Sequence, residues 1–202
     1  MDMHENTFFA KTARIVRVVT VPPLLASVLL VILYFFHDGV FADVEQFLIS
    51  LSLLVFLPLA AYPLSWAVPK IRDKGREGQR KLAFVLSLTG YTSSLIYGLS
   101  FQVSRSLLLI YLGYFISVII LILFNKVIKL RASGHTCAVC GPLVLLVYFI
   151  GPEGIVPCAA VFLAVVWSSL YLKRHTAKDL ALGAVSSVLA MSISIAILGL
   201  SG

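Results

Sequence analysis

The chain has 202 residues, 60% of them hydrophobic and only 12% charged, with a mean hydropathy of +1.01. Soluble domains carry about 25% charged and about 45–50% apolar residues, so this composition excludes an ordinary soluble fold. The net charge of +7 does not mark a nucleic-acid binder, because the cations lie between apolar runs and no aromatic-basic platform accompanies them.

The apolar runs are continuous rather than alternating and reach about 20 residues, which predicts helices and not a barrel. The expected fold is all-α: a single polytopic membrane domain over 1–202, with six to seven spans. Residues 1–14 read as polar, frayed or interfacial. Span one is expected over 15–36, started or kinked by Pro22-Pro23. Preceded by Lys11, Arg14 and Arg17, it is too long for a signal-peptide core and lacks a clear cleavage pattern, so it reads as a retained span.

A short acidic loop follows, with His37, Asp38, Gly39, Asp43 and Glu45. Span two is expected over 45–68, with Pro58 and Pro63 inside it and Trp66 near its end, where an interfacial aromatic belongs. Residues 69–81 read as the longest polar loop, a solvated basic surface with Arg76 or Arg80 as candidates to close over a headgroup. Span three falls at 82–101, and Ser104-Arg105 makes a tight turn. These first three spans form an N-terminal part, 1–104, ahead of a candidate catalytic core at 105–200. The core holds span four at 106–128, span five at 136–150, span six at 155–172 and span seven at 177–200.

Loop charge predicts the orientation. With the N-terminus cytoplasmic, fifteen of the sixteen Lys and Arg fall on the inner side and only Arg105 falls outside, as the positive-inside rule requires. Two polar clusters then share the cytoplasmic surface. One is Asn125-Lys-Val-Ile-Lys-Leu-Arg-Ala-Ser-Gly-His135, and the other is Leu172-Lys-Arg-His-Thr-Ala-Lys-Asp179.

These clusters carry the chemistry. His175 and Asp179 are four residues apart at the start of span seven and share a helix face. An aspartate on one imidazole nitrogen fixes the tautomer and leaves the other nitrogen to attack. His135 opens span five and suits a proton donor to a leaving group. Lys129, Arg131, Lys173 and Arg174 offer cations for a phosphate. Ser133 and Gly134 precede a helix, where free N–H groups and the dipole favour an anion. Each residue alone is more often an interfacial contact or a snorkelling cation; together they point to phosphoryl transfer. Cys137 and Cys140 form a C-x-x-C after His135, but no second pair completes a tetrahedral set. With Cys158 they read as small packing residues, and no metal or other cofactor is expected.

At these residues the chain resembles the type 2 phosphatidic acid phosphatase superfamily, the lipid phosphate phosphatases that share a core with vanadium haloperoxidases. The resemblance covers roughly 105–200 and is strongest at Ser133-Gly134-His135-Thr136 and at His175-Thr-Ala-Lys-Asp179-Leu180. It implies that His175 is the nucleophile forming a phosphohistidine, Asp179 its orienting partner and His135 the general acid. Ser133 and Gly134 would bind phosphate oxygens. The motifs depart from the family pattern in three places. No Arg-Pro follows Lys126 and Lys129, so the first two motifs read as fused, with Lys129 and Arg131 taking over the phosphate cations. Ala132 stands where the second motif has proline. Ser169 stands where the third motif has its arginine, and Lys173 or Arg174 is the expected substitute.

The expected function is hydrolysis of a lipid phosphomonoester or pyrophosphate, with the membrane lipid as partner and no nucleic acid. Prenyl diphosphate is slightly favoured over phosphatidate and phosphatidylglycerophosphate, because small loops read only a simple headgroup. The alternatives are a headgroup-binding transporter or flippase-like protein, and a catalytically inactive member of the phosphatase fold.

Overall fold

A computed structural model describes residues 3–199, with side chains described from Phe8 onward. Residues 1 and 2 of the expected polar leader and residue 200 of the expected last span lie outside the described residues. Among the described residues the chain is helical, with no strand.

Helix α1 (Met3–Val19) is followed at once by α2 (Pro22–Phe36), and the two are bent by 53°. Span one is therefore not one helix starting at 15. Proline at position 22 has no N–H to continue the ladder and forces the residue before it out of helical space. Val21 is accordingly extended, at φ −60° and ψ 139°. Instead of running on into the span, α1 packs against the end of α7 (Ile155–Tyr171): Phe9 lies 6.4 Å from Tyr171, ring to ring, and Arg17 bonds to Ser169.

Helix α3 (Val44–Ala67) opens on an Asp43 cap, whose carboxylate accepts from Gln46 N at 2.8 Å. It contains a π-helical turn at Ser52–Phe56, just before Pro58. Near its end Trp66 is exposed, as an interfacial aromatic should be. The segment expected as a long polar loop is largely helical. Pro69–Arg72 forms a single turn, and α4 (Gly75–Ser100) starts well before residue 82. Polarity alone does not unmake a helix: Glu77 and Lys81, one turn apart, pair at 2.7 Å on its first exposed turns.

From Arg105 the expected spans and the helices agree within two residues. They are α5 (Arg105–Val127), α6 (Gly134–Ile150), α7 and α8 (Ala177–Leu198). Among the described residues five helices are long and apolar enough to cross a membrane, α3, α4, α5, the α7 segment from Pro152, and α8; the bent α1–α2 pair makes a sixth if it counts as one span. The remaining apolar helix, α6, has 17 residues. At 1.5 Å per residue it is about 26 Å long, a little short of a hydrocarbon core of about 30 Å. The chain is thus a multi-pass helical membrane protein.

The bundle centres on α8, which packs on both α5 and α6. Its buried face is built from small residues: Gly183, Ser186, Ser187, Ala190 and Ser194. Lipid tails offer no hydrophobic drive to hold helices together, so close packing of small side chains does so instead. Ser187 Oγ donates to Cys137 O at 2.6 Å, and Cys140 Sγ lies 3.9 Å from Ala184 O. The C-x-x-C cysteines are free thiols on this α6–α8 seam.

Candidate active site

The two polar clusters meet at one end of the bundle. The closest approach is at Gly183, nearly two turns into α8. A Cβ there would collide with the Ser133 carbonyl oxygen and would lie 3.1 Å from Thr136 Cβ and 3.2 Å from Cys137 N. Glycine lets the backbones of α6 and α8 touch, and one hydrogen bond records the result: Ser133 N donates to Asp179 O at 2.9 Å.

Asp179 is the hub. The start of α8 forms a capping box, in which Thr176 Oγ1 accepts from Asp179 N at 3.2 Å and Asp179 Oδ2 accepts from Thr176 N at 3.1 Å. The same Oδ2 lies 3.6 Å from His175 Nδ1 and 3.7 Å from Arg131 Nε. The carboxylate therefore faces one nitrogen of His175, slightly beyond hydrogen-bond length, and turns Nε2 to the other side of the ring. His175 Nδ1 and His135 Nε2 are both buried with no hydrogen-bond partner. Burial, the largest influence, lowers the His175 pKa; Asp179 works against it, and the charges of Arg131 and Arg17 add to it. The balance favours the neutral imidazole, the form in which a histidine can act as a nucleophile.

The other expected residues divide by location. Ser133 is fully buried and caps α6, accepting from Thr136 N at 3.2 Å and from Thr136 Oγ1 at 3.0 Å. Its hydroxyl proton remains its own to give. Gly134 and His135 supply the first N–H groups of α6, at the positive end of that helix. Asn125 folds the connection between α5 and α6. Its amide donates to Leu121 O at 2.9 Å and to Ala132 O at 3.3 Å, while its carbonyl accepts from Ala132 N at 3.1 Å.

Lys129 and Lys173 are exposed, and both adopt left-handed backbone, at φ 60° and φ 50°. Each such non-glycine residue costs about 1 kcal/mol or more, so both cation-bearing loops are held by their surroundings in sharp turns. Arg174 is exposed too, and its N–H donates to Ser169 O at 3.0 Å.

One residue belongs to the site that the motifs did not indicate. Arg17 Nη1 donates to Ser169 Oγ at 3.1 Å, bridging 152 positions of sequence. It is half-buried and within electrostatic reach of both His135 and His175. The sequence holds a signal for it: Ile15-Val16-Arg17-Val18-Val19 sets a cation inside an apolar run, where burying the charge needs a reason.

Compared with family models, curated proteins and solved structures, the chain matches none. The likeness to the phosphatases rests on the motif residues alone.

Proposed function

We propose that this protein is an integral-membrane lipid phosphatase, which splits a phosphomonoester or pyrophosphate through a phosphohistidine on His175. One observation carries the reading: two histidines 40 positions apart lie within electrostatic reach at one end of a hydrophobic bundle, on segments joined by the Ser133–Asp179 backbone bond. In this mechanism Asp179 orients His175 through Nδ1, and His175 Nε2 attacks phosphorus in line with the departing oxygen. His135, whose pKa burial and the Arg17 charge hold low until the phosphate's negative charge lies beside it, then gives that oxygen a proton. Water then attacks the phosphohistidine, with His135 taking the proton back.

Positive charge around the site compensates the phosphate oxygens throughout. A substrate with its tail in the bilayer and its headgroup at the interface fits a site built on helix ends, and a simple headgroup such as a prenyl diphosphate fits the short loops. By loop charge the site faces the cytoplasm.

The test is release of inorganic phosphate by the purified protein, with chelator present, across a panel of prenyl diphosphate, phosphatidate and phosphatidylglycerophosphate. Release that His175→Ala reduces by about a thousandfold or more is the expected result. Equal release by the two proteins would reject the assignment.

A further inference from the structure

We propose that Arg17, delivered by the N-terminal helix α1, is the guanidinium that grips the phosphate between the two histidines. This rests on the site just described and adds to it a residue from outside the 105–200 core.

Three observations converge. The first is position. Arg17 sits in the last turn of α1, where helix carbonyls favour a cation, and its Nη1 is fixed on Ser169 Oγ at 3.1 Å. Ser169 lies in the final turns of α7, six residues before His175, so the guanidinium is held beside the loop that carries the nucleophile.

The second is the company it keeps. Arg174, Arg76 and Arg80 all act electrostatically on Arg17, from the loop after α7 and from the start of α4. Tyr62, on α3, is also within reach. Among the described residues no carboxylate pairs with Arg17; the acid of the site, Asp179, is engaged by His175 and Arg131. Arg17 thus feels three other guanidinium groups and, among the described residues, has no carboxylate bonded to it, and an anion bound beside it offsets that repulsion.

The third is mechanical. The break at Val21 turns α1 by 53° from the line of α2, and α1 packs on α7 so that Arg17 reaches Ser169. The hydrogen bond to Ser169 uses only one edge of the guanidinium. Its remaining N–H groups suit two phosphate oxygens at once, a fork that lysine cannot reproduce.

The experiment compares Arg17→Ala, Arg17→Lys and Ser169→Ala with the wild type in the full-length purified protein. It reads both phosphate release from lipid substrates and binding of orthovanadate as a phosphate mimic. Arg17→Ala should lower kcat/KM by roughly a hundredfold. Arg17→Lys, which keeps the charge, the aliphatic stem and the fold, should weaken orthovanadate binding by about tenfold. Ser169→Ala, which frees the guanidinium without removing it, should give a loss on both measures that is smaller than that of Arg17→Ala.

Wild-type rates and affinities in Arg17→Lys would overturn the proposal, as would orthovanadate binding that is unchanged in Arg17→Ala. The two readings separate cleanly. Lipid hydrolysis that is indifferent to Arg17 sinks this inference and spares the phosphatase. Orthovanadate binding that needs Arg17 in a protein without hydrolysis does the reverse. Absence of both hydrolysis and orthovanadate binding in the wild type removes both.

Discussion

The two ends of the bundle each hold a histidine with a buried, unpartnered ring nitrogen, yet only one of those ends sets a second histidine and several cations beside it. At the far end His37 follows α2 and lies edge-on to Phe149, ring centroids 5.1 Å apart, beside a cavity lined by Ile32, Leu33, Phe36 and Ile150. No cation is among the residues lining it. The polar bonds near that end close the fold: Ser104 Oγ donates to Val40 O at 2.6 Å and also caps α5. At the other end His175 faces Asp179, which Arg131 also approaches, and His135 and His175 both lie within electrostatic reach of Arg17 and of each other. An orphaned imidazole is therefore not a site by itself. What makes the difference is a second imidazole and fixed charges that an incoming anion would satisfy.

Substituting at both ends tests that contrast most strongly. His135→Ala should cut lipid phosphate release by about a hundredfold to ten-thousandfold, the range for loss of a general acid. His37→Ala should leave release within about twofold. Similar losses at the two positions would erase the distinction between the ends.

A smaller effect is expected from pushing the clusters apart. Gly183→Ala sets a methyl group against the Ser133 carbonyl, and overpacking of this kind costs about 1–3 kcal/mol. The thermal unfolding midpoint should fall, and activity should fall further than it does for an equally destabilising substitution at the far end. Equal losses of activity at matched stability would mean that the α6–α8 contact does not position the histidines.

The finest test is of pH dependence. Neutral His175 is the reactive form, so the acid limb of kcat/KM should lie below the ordinary imidazole value of about 6.5. Asp179 raises the His175 pKa against the dominant effect of burial. Asp179→Asn removes that support, so the limb should move to still lower pH while the plateau rate drops by about tenfold. A limb moving upward would show that the carboxylate does not act on the imidazole.

Much of this architecture is legible in the sequence. The helices from Arg105 onward follow from long apolar runs bounded by polar clusters, and the His-x-x-x-Asp spacing foretells a shared face at the start of α8. Two features escape for physical reasons. The stretch at 69–81 looks like a loop because it is polar, yet Arg-Glu-Gly-Gln-Arg-Lys after a Gly75 turn at φ +54° is sound helical sequence at a surface. Arg17 escapes because a cation before an apolar run is ordinarily counted as a topology signal. The packing of α1 on α7 ahead of the Pro22 break, which brings its guanidinium to Ser169, is visible only in the folded chain.

The central claim is that one imidazole takes the phosphate covalently. The direct measurement is rapid quenching of the protein with a radiolabelled lipid phosphate at neutral to alkaline pH, followed by peptide mapping. The label should appear on the peptide containing His175, turn over with excess unlabelled substrate, accumulate in His135→Ala under conditions that slow the water step, and vanish in His175→Ala. Steady hydrolysis with no labelled histidine, or with label on any other residue, would contradict the account.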